Sequence, residues 1–150
     1  MHLLSSTDVG LKALLFMAAC PRRYVQQPEI SDLFRINDYA LKRPFRALVD
    51  GGIISLKMGR WGGYSLKRAP KTVTLEEVVK LLERDFHLIP AMKPNEGGFP
   101  LCPNSTYFFA LDRAVKAFFY ELSNFTIAEL AGDPYTLKLL GIPDMRGEAP

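Results

Sequence analysis

The sequence has few of the residues on which metal centres and catalytic sites depend. Its 150 residues include two cysteines, Cys20 and Cys102, and two histidines, His2 and His87. Two cysteines do not make a disulfide framework, and two histidines leave little for acid–base or metal chemistry. The glycine-rich segment 59–63 lies in a predicted hairpin and not at a helix start, so it does not qualify as a phosphate-binding loop. These absences predict that the protein is not an enzyme and holds no metal ion.

Long apolar runs are missing as well. No apolar segment reaches the roughly 20 residues that a membrane-spanning helix needs. Residues 11–20 are apolar, but the segment is short, lies beside Asp8 and Lys12, and lacks the basic start and cleavage site of a signal peptide. Because cysteines are scarce and no targeting signal is apparent, the sequence predicts a cytoplasmic protein without membrane contact. Hydrophobic residues make up 48% of the chain, which is enough for a buried core in one domain of this length.

Charge is distributed unevenly along the chain. Residues 35–71 contain nine basic and two acidic residues, a local net charge of +7, whereas the whole chain carries +3. A basic middle between acidic ends indicates a surface that faces a polyanion. The alternative is a solvated charged face. The basic residues coincide with a predicted helix and a hairpin tip, which favours the polyanion.

Two helices are predicted before the most basic part of the chain. Apolar residues recur at helical spacing over residues 7–19, with Ser6 or Thr7 as the cap. Cys20, which follows, is expected to be a small buried apolar residue. A second, short helix is predicted to open near Pro28, because proline suits the first helical position. Residues 35–37 then form a turn into a third helix.

The third helix is predicted to begin at the cap Asn37 and to end at the pair Gly51 and Gly52. Its inner side would bury Leu41, Phe45 and Leu48. Its outer side would carry Tyr39, Lys42, Arg43 and Arg46. Pro44 lies inside this helix, where proline removes a backbone hydrogen bond and costs about 3 kcal/mol. We expect a kink there; the alternative is a regular helix that starts near Pro44.

A hairpin is predicted to follow, with strands over residues 53–58 and from residue 63 or 64 to residue 66. The connection 59–62 has glycines where a tight turn needs positive φ. Arg60 and Trp61 occupy its tip. Helix, turn, helix and hairpin together predict a winged helix-turn-helix unit over residues 1–84.

The second half of the chain is predicted to be helical apart from one long loop. Capping-box patterns open helices at Thr74 and Thr126, and Asp133 caps a short helix that ends at Gly141. Residues 85–103 form an irregular loop of the kind used for sensing, and residues 143–150 are predicted to be disordered. The longest helix runs from residue 104 or 105 to about residue 123, within a unit over residues 104–142. Its broad apolar stripe is predicted to bind a second copy of the chain: Phe108, Leu111, Val115, Phe118, Phe119 and Leu122.

The expected fold is therefore mainly α with a small β-hairpin, and the expected partners are double-stranded DNA and a second copy of the chain. The third helix is the element predicted to enter the major groove, and Arg60 at the wing tip suits the narrow minor groove. Trp61 either packs on a sugar-phosphate edge or caps the wing. An ordinary amphipathic helix is the alternative for the third helix. The residues predicted to contact DNA are Gln27, Asn37, Tyr39, Lys42, Arg43, Arg46, Lys57, Arg60, Trp61 and Tyr64, and Lys67, Arg68 and Lys71 would join Lys57 in neutralising phosphates.

Six segments carry a resemblance to a known family: residues 7–15, 51–54, 59–66, 73–83, 110–119 and 125–130. In these segments the chain resembles the Rrf2 family of winged-helix bacterial regulators, the group of the iron–sulfur cluster regulator, the nitrite-sensitive repressor and the rhizobial iron regulator. The resemblance covers about residues 1–142, and the last of these three is the most similar branch at residues 139–142. It implies a cytoplasmic homodimer that binds promoter DNA. A symmetric dimer in turn predicts a palindromic site, and we expect the protein to act as a repressor.

Many members of that family hold an iron–sulfur cluster through three loop cysteines, and here the pattern departs from the family. Only Cys102 is present in the loop; the other two positions fall near Ala91 and Ser105. Asp8 matches a carboxylate that some relatives use as a fourth ligand, although an acidic residue also suits a helix start. The candidate sensor residues are Cys102, Asp8 and His87. A cluster takes about four protein ligands, mostly thiolates, so we predict that this chain holds none.

Two other hypotheses stay open. One is a protein-interaction module on a winged-helix scaffold that has lost DNA binding, for which Pro44 is the main support. The other is a regulator that keeps an atypically ligated cluster. In the DNA-binding hypothesis, the signal could be a small ligand, a partner protein or oxidation of Cys102, whose thiolate could be favoured near a helix start.

Overall fold

Seven α-helices and one antiparallel hairpin make up the part of the chain that the computed structural model describes, residues 3–21, 23–83, 86 and 105–141. The predicted fold class, mainly α with a small β-hairpin, is confirmed. The predicted disordered tail and most of the predicted loop lie outside the described residues. In chain order the elements are α1 (Ser5–Ala19), α2 (Gln27–Phe34), α3 (Asp38–Asp50), β1 (Ile54–Lys57), β2 (Gly63–Leu66), a 3-10 turn (Pro70–Thr72), α4 (Leu75–Leu82), α5 (Thr106–Ser123), α6 (Ile127–Ala131) and α7 (Pro134–Leu139).

Side-chain caps fix the starts of most helices. Asn37 Oδ1 accepts from the backbone N–H of Tyr39 at 2.8 Å, which confirms the predicted cap of α3. Ser105 and Asp133 cap α5 and α7 in the same way. The predicted cap of α1 at Ser6 or Thr7 is wrong, because the helix already begins at Ser5 and has Leu4 as its N-cap.

Helix α3 runs without interruption through Pro44. The alternative of a regular helix that begins near Pro44 is therefore wrong, whereas a kink of the helix axis stays a prediction. Pro44 is buried against α1, at a point where the two helices approach closely. A Cβ added to Gly10 would lie 3.1 Å from Pro44 Cβ and 2.6 Å from Leu82 Cδ1. Glycine at position 10 thus allows α1 to contact both α3 and α4.

The hairpin has the predicted position but is slightly shorter. Ile54 pairs with Leu66 and Lys57 with Gly63, so the first strand is one residue shorter than predicted at each end. Val25, which precedes α2, forms an isolated bridge with Tyr64 through two backbone hydrogen bonds of 2.8 Å. The hairpin is therefore held to the chain segment that leads into α2.

One hydrophobic core connects both halves of the chain. It contains residues of α1, α3, α4 and the hairpin, and Ile127 and Leu140 from the C-terminal part join it. A bridge between Thr74 and Thr126 aligns the starts of α4 and α6, with Ile127 N–H donating to the Val73 carbonyl at 2.9 Å. The predicted boundary between residues 84 and 104 stays a prediction, but α6 and the end of α7 share the core of the N-terminal unit.

Over the described ranges, no helix combines the length and the apolar character that crossing a membrane requires.

The capping box of α6 should make stability depend on pH. The Thr126 hydroxyl and, to a lesser extent, its backbone N–H donate to Glu129, and they lower the pKa of this carboxyl below its ordinary value. A lowered folded-state pKa contributes stability above the unfolded-state pKa, and this contribution is lost as pH falls through the folded-state pKa. Glu129→Gln keeps an acceptor but removes the charge. The difference in Tm between wild type and this variant is expected to be larger at about pH 7 than at about pH 3. An equal difference at both pH values would contradict the assignment.

Candidate nucleic-acid interface

The outward side of α3 carries an aromatic ring and two cations at helical spacing. Tyr39 is 75% exposed, and Lys42 and Arg46 follow it on the same face of the helix. Lys42 Nζ lies 4.9 Å from the centre of the Tyr39 ring. The Arg46 side chain is 85% exposed, and its Nε lies 3.7 Å from Asp50 Oδ2. A surface ion pair of this length is weak, so Arg46 can exchange it for another acceptor.

The turn between α2 and α3 is held by hydrogen bonds that set the direction of α3. Arg35 adopts a left-handed conformation with φ 52°, and the Ile36 N–H donates to the Ser31 carbonyl at 2.9 Å. Gln27 Nε2 donates to the Asp38 carbonyl at 2.7 Å. Two residues predicted to contact DNA, Gln27 and Asn37, thus also orient the start of α3.

The wing tip is shaped by three glycines with different requirements. Gly59 has φ 110°, as predicted for the turn. Gly62 does not have positive φ, so this part of the prediction is wrong; a Cβ there would lie only 2.0 Å from the Lys57 carbonyl oxygen. Gly63 has φ 141° and approaches the Val25 carbonyl. Glycine is therefore required at position 62 for close backbone approach rather than for conformation.

Between these glycines, Arg60 and Trp61 project from the fold. Trp61 is 81% exposed, and the Arg60 guanidinium carbon lies 5.6 Å from the centre of its ring. Stacking of this kind holds the guanidinium without occupying its hydrogen-bond donors. The tip is thus a cation beside an aromatic ring, on a backbone constrained by glycine.

A groove joins the wing to the start of α2. Its lining includes Gln27, Lys57 and Arg60, three of the residues predicted to contact DNA. Lys57 Nζ lies 5.1 Å from the centre of the Tyr24 ring, which is half exposed. The sequence prediction did not include Tyr24. Its position one residue before Val25, which pairs with the wing, becomes apparent only in the folded chain.

Three side chains predicted to contact DNA have another role in the fold. The Tyr64 ring packs edge-on against Phe45, with ring centres 4.4 Å apart, and so joins the wing to the core. The Arg43 guanidinium donates to Ser6 Oγ and to the Leu82 carbonyl. Arg68, predicted to neutralise a phosphate, forms a 2.5 Å ion pair with Glu77. These three side chains are less available to DNA than the sequence suggested.

The candidate sensor residues can be placed only in part. Cys102 and His87 lie outside the described residues. Asp8 Oδ2 is 2.5 Å from Lys12 Nζ, in an exposed pair within α1. Cys20 is half buried beside the far end of α1, packed against the core. The described residues contain no group of three or more His, Cys, Asp or Glu side chains that could share a metal ion.

One residue in the apolar stripe of α5 is buried within the chain, and the other five are only partly covered. Phe119 is buried, in edge-on contact with Phe86 at 4.5 Å between ring centres, and Lys80 of α4 lies over it at 4.7 Å. It is thus a contact within the chain. The other five predicted interface residues are each half buried: Phe108, Leu111, Val115, Phe118 and Leu122.

Comparison with known proteins agrees with this architecture. Residues 3–133 match the family described as Rrf2, iron-dependent transcriptional regulator. Protein aau3 of Rhizobium meliloti (strain 1021) is 29% identical over 145 residues, which cover 96% of this chain and 94% of that protein.

Two solved structures have a similar fold. CymR (YrzC), the global cysteine regulator of B. subtilis, has a TM-score of 0.68 at 19% identity, over 87% of this chain and 96% of its own. T. potens IscR has a TM-score of 0.68 at 17% identity, over 86% of this chain and 85% of its own. The predicted winged-helix fold is confirmed by these similarities.

Proposed function

Since the chain belongs to the Rrf2 family of DNA-binding transcriptional regulators, we propose that it is a homodimeric repressor that reads a palindromic promoter site without an iron–sulfur cluster. The observation that carries this proposal is the set of exposed cations beside aromatic rings on α3 and the wing. Lys42, Arg46 and Arg60 each lie at the surface with donors available to an acceptor outside the chain.

In the proposed complex, α3 enters the major groove and the wing follows the adjacent minor groove. Tyr39, Lys42 and Arg46 then face base edges or phosphates. Arg60 enters the minor groove, and Trp61 packs beside it on the sugar-phosphate backbone. Gln27 and Lys57 line the groove between these two elements and neutralise or bond the intervening phosphates.

The proposed dimer uses the outward part of the α5 stripe. Five apolar side chains on one face of an 18-residue helix are only half covered by the chain itself. A partner helix would remove them from water, and a two-fold dimer would place two copies of α3 on one duplex. This arrangement is the basis for proposing a palindromic site.

The side chains that could act as ligands do not suit an iron–sulfur cluster. Asp8 is engaged by Lys12, and Cys20 lies at the opposite end of α1 from Asp8. Cys102 would leave a cluster with a single loop thiolate, whereas about four ligands are usual. We therefore assign no step to iron and propose that the signal reaches the protein in another form.

Protein prepared without oxygen tests this assignment directly. Because the chain lacks the thiolates for a cluster, it is expected to be colourless, with no visible absorption and no stoichiometric iron or acid-labile sulfide. Reconstitution with iron and sulfide should fail to produce a bound cluster for the same reason. A brown protein with iron in proportion to chain would establish the atypically ligated cluster instead.

A protein-interaction module without DNA binding is the competing function, and Arg60→Ala separates the two. If Arg60 enters the minor groove, its removal should weaken binding to a duplex selected from a randomised pool by about tenfold or more. Met58→Ala is the matched control, since Met58 is 81% exposed on the same wing and uncharged. Fluorescence anisotropy measures both. Equal affinities of Arg60→Ala and wild type would support the interaction module.

A further inference from the structure

The Arg43 guanidinium connects three helices at one point. One terminal nitrogen donates to Ser6 Oγ of α1 at 2.9 Å, and the other donates to the Leu82 carbonyl of α4 at 3.1 Å. The arginine itself belongs to α3, close to Lys42 and Arg46 in the sequence. Although Arg43 is exposed beside Lys42 and Arg46, both of its terminal nitrogens donate to acceptors within the protein.

The acceptor on α4 lies at the C-terminal end of that helix, where a contact with a cation is favourable. Leu82 is the last residue of α4, and the final carbonyls of a helix have no partner within it. A cation there also interacts favourably with the helix dipole. A second polar contact lies at the same junction, where the Leu4 N–H at the start of α1 donates to Glu83 Oε1 at 2.8 Å. Glu83 therefore satisfies a donor at the start of α1, and Arg43 of α3 satisfies an acceptor at the end of α4.

Close packing beneath Arg43 leaves little freedom in how α3 lies. The neighbouring Pro44 is buried against Gly10, and Leu82 meets the same glycine. Because a side chain at position 10 would collide with both, the separation of the three helices is fixed at this junction. The two hydrogen bonds of Arg43 and the close contact at Gly10 together restrain both the translation of α3 and its rotation about its own axis.

We propose that Arg43 is a positioning residue for DNA recognition: it holds α3 against α1 and the end of α4 so that Tyr39, Lys42 and Arg46 meet the duplex in register. The proposal rests on the proposed DNA-binding function. Recognition sites tolerate displacements of only about 0.5 Å or 10–20°. The orientation of α3 consequently depends on where the end of α4 lies, although α4 itself carries none of the proposed DNA contacts.

Arg43→Ala, Arg43→Lys and Ser6→Ala test the proposal by salt-dependent DNA binding. Each variant is titrated against a duplex selected by wild type and against a scrambled duplex of equal length. Arg43→Ala should lose about tenfold in affinity for the selected duplex, with an unchanged slope of log affinity against log salt. A phosphate contact would instead reduce that slope by about 0.9. Arg43→Lys, which can keep one of the two bonds, should lie between Arg43→Ala and wild type.

Ser6→Ala distinguishes positioning from direct contact, because Ser6 lies on α1 and only accepts from Arg43. It should weaken selected binding in the same direction as Arg43→Ala, and the double variant should be no weaker than Arg43→Ala alone. A reduced salt slope in Arg43→Ala with a silent Ser6→Ala would overturn the proposal, as would unchanged affinity in Arg43→Ala. If wild type itself does not discriminate the two duplexes, the proposed function fails. If wild type discriminates the two duplexes and the variants bind them as wild type does, only the proposed role of Arg43 fails.

Discussion

Replacement of both Lys42 and Arg46 by alanine is expected to abolish most sequence-selective DNA binding while the protein remains folded. Both side chains lie on the exposed face of α3, outside the hydrophobic core. Each good contact from such a side chain to a base edge contributes about 1–3 kcal/mol. Two lost contacts would therefore weaken binding by about 2–6 kcal/mol, or roughly 30-fold to 20,000-fold. Surface substitutions of this kind usually change folding stability by less than about 0.5 kcal/mol.

A charge-matched variant makes this prediction specific. Lys12→Ala combined with Lys116→Ala also removes two positive charges, but from α1 and α5. Each of these lysines pairs with an acidic residue one helical turn away. In an electrophoretic mobility shift assay with the selected duplex, the affinities of the two double variants should differ by at least tenfold. Equal losses would mean that net charge, rather than the α3 face, determines binding.

Gly62→Ala is expected to disrupt the wing, with the second largest effect on DNA binding. The added Cβ would lie 2.0 Å from the Lys57 carbonyl oxygen and 3.0 Å from the Gly59 carbonyl oxygen. Both neighbours are backbone atoms, so the turn must open rather than a side chain move aside. Overpacking of this kind costs about 1–3 kcal/mol of folding stability. Affinity for the selected duplex should fall by more than tenfold, because Arg60 and Trp61 lose their fixed position.

Gly52→Ala separates loss of stability from damage to the wing. Gly52 has φ 69°, which is unfavourable for alanine, but a Cβ there meets no atom within 4 Å. This variant should lose about 1–2 kcal/mol of stability yet keep its DNA affinity. The fluorescence emission of Trp61, the only tryptophan, reports directly on the structure of the wing. The prediction for position 62 fails if Gly62→Ala retains both wild-type emission and wild-type affinity.

Local chemistry explains why much of the site could be predicted from the sequence. The cap at Asn37, the end of α3 at Gly51 and the positive φ of Gly59 act on backbone within a few residues, so their signals are visible in the sequence. Spacing along a helix likewise placed Tyr39, Lys42 and Arg46 on one outward face. Their exposure, which makes them candidates for contact with DNA, is largely determined by helical periodicity.

Contacts between distant residues account for what could not be predicted. Arg43 meets Ser6 and Leu82, residues 37 and 39 positions away. Its position on α3 alone therefore predicted a DNA contact, as it did for Lys42. Tyr64 appeared to be a wing residue for DNA, whereas Phe45 of α3 packs against its ring.

The α5 stripe and the C-terminal helices show the same limit. Periodicity identified the apolar face of α5, but it could not distinguish Phe119, which packs towards Phe86 and α4, from its half-buried neighbours. Ile127 and Leu140 are far from α1 in sequence yet share its core. Each of these assignments depends on which elements become neighbours in the folded chain.

The salt dependence of wild-type binding to a two-fold symmetric duplex tests the central claim most directly. The duplex is selected from a randomised pool, and a scrambled duplex serves as the reference. Binding should be selective, with two chains per duplex. Affinity should fall steeply with salt, at a slope of about −0.9 for each phosphate neutralised. Equal affinity for both duplexes, or affinity independent of salt, would contradict a DNA-reading function for α3 and the wing.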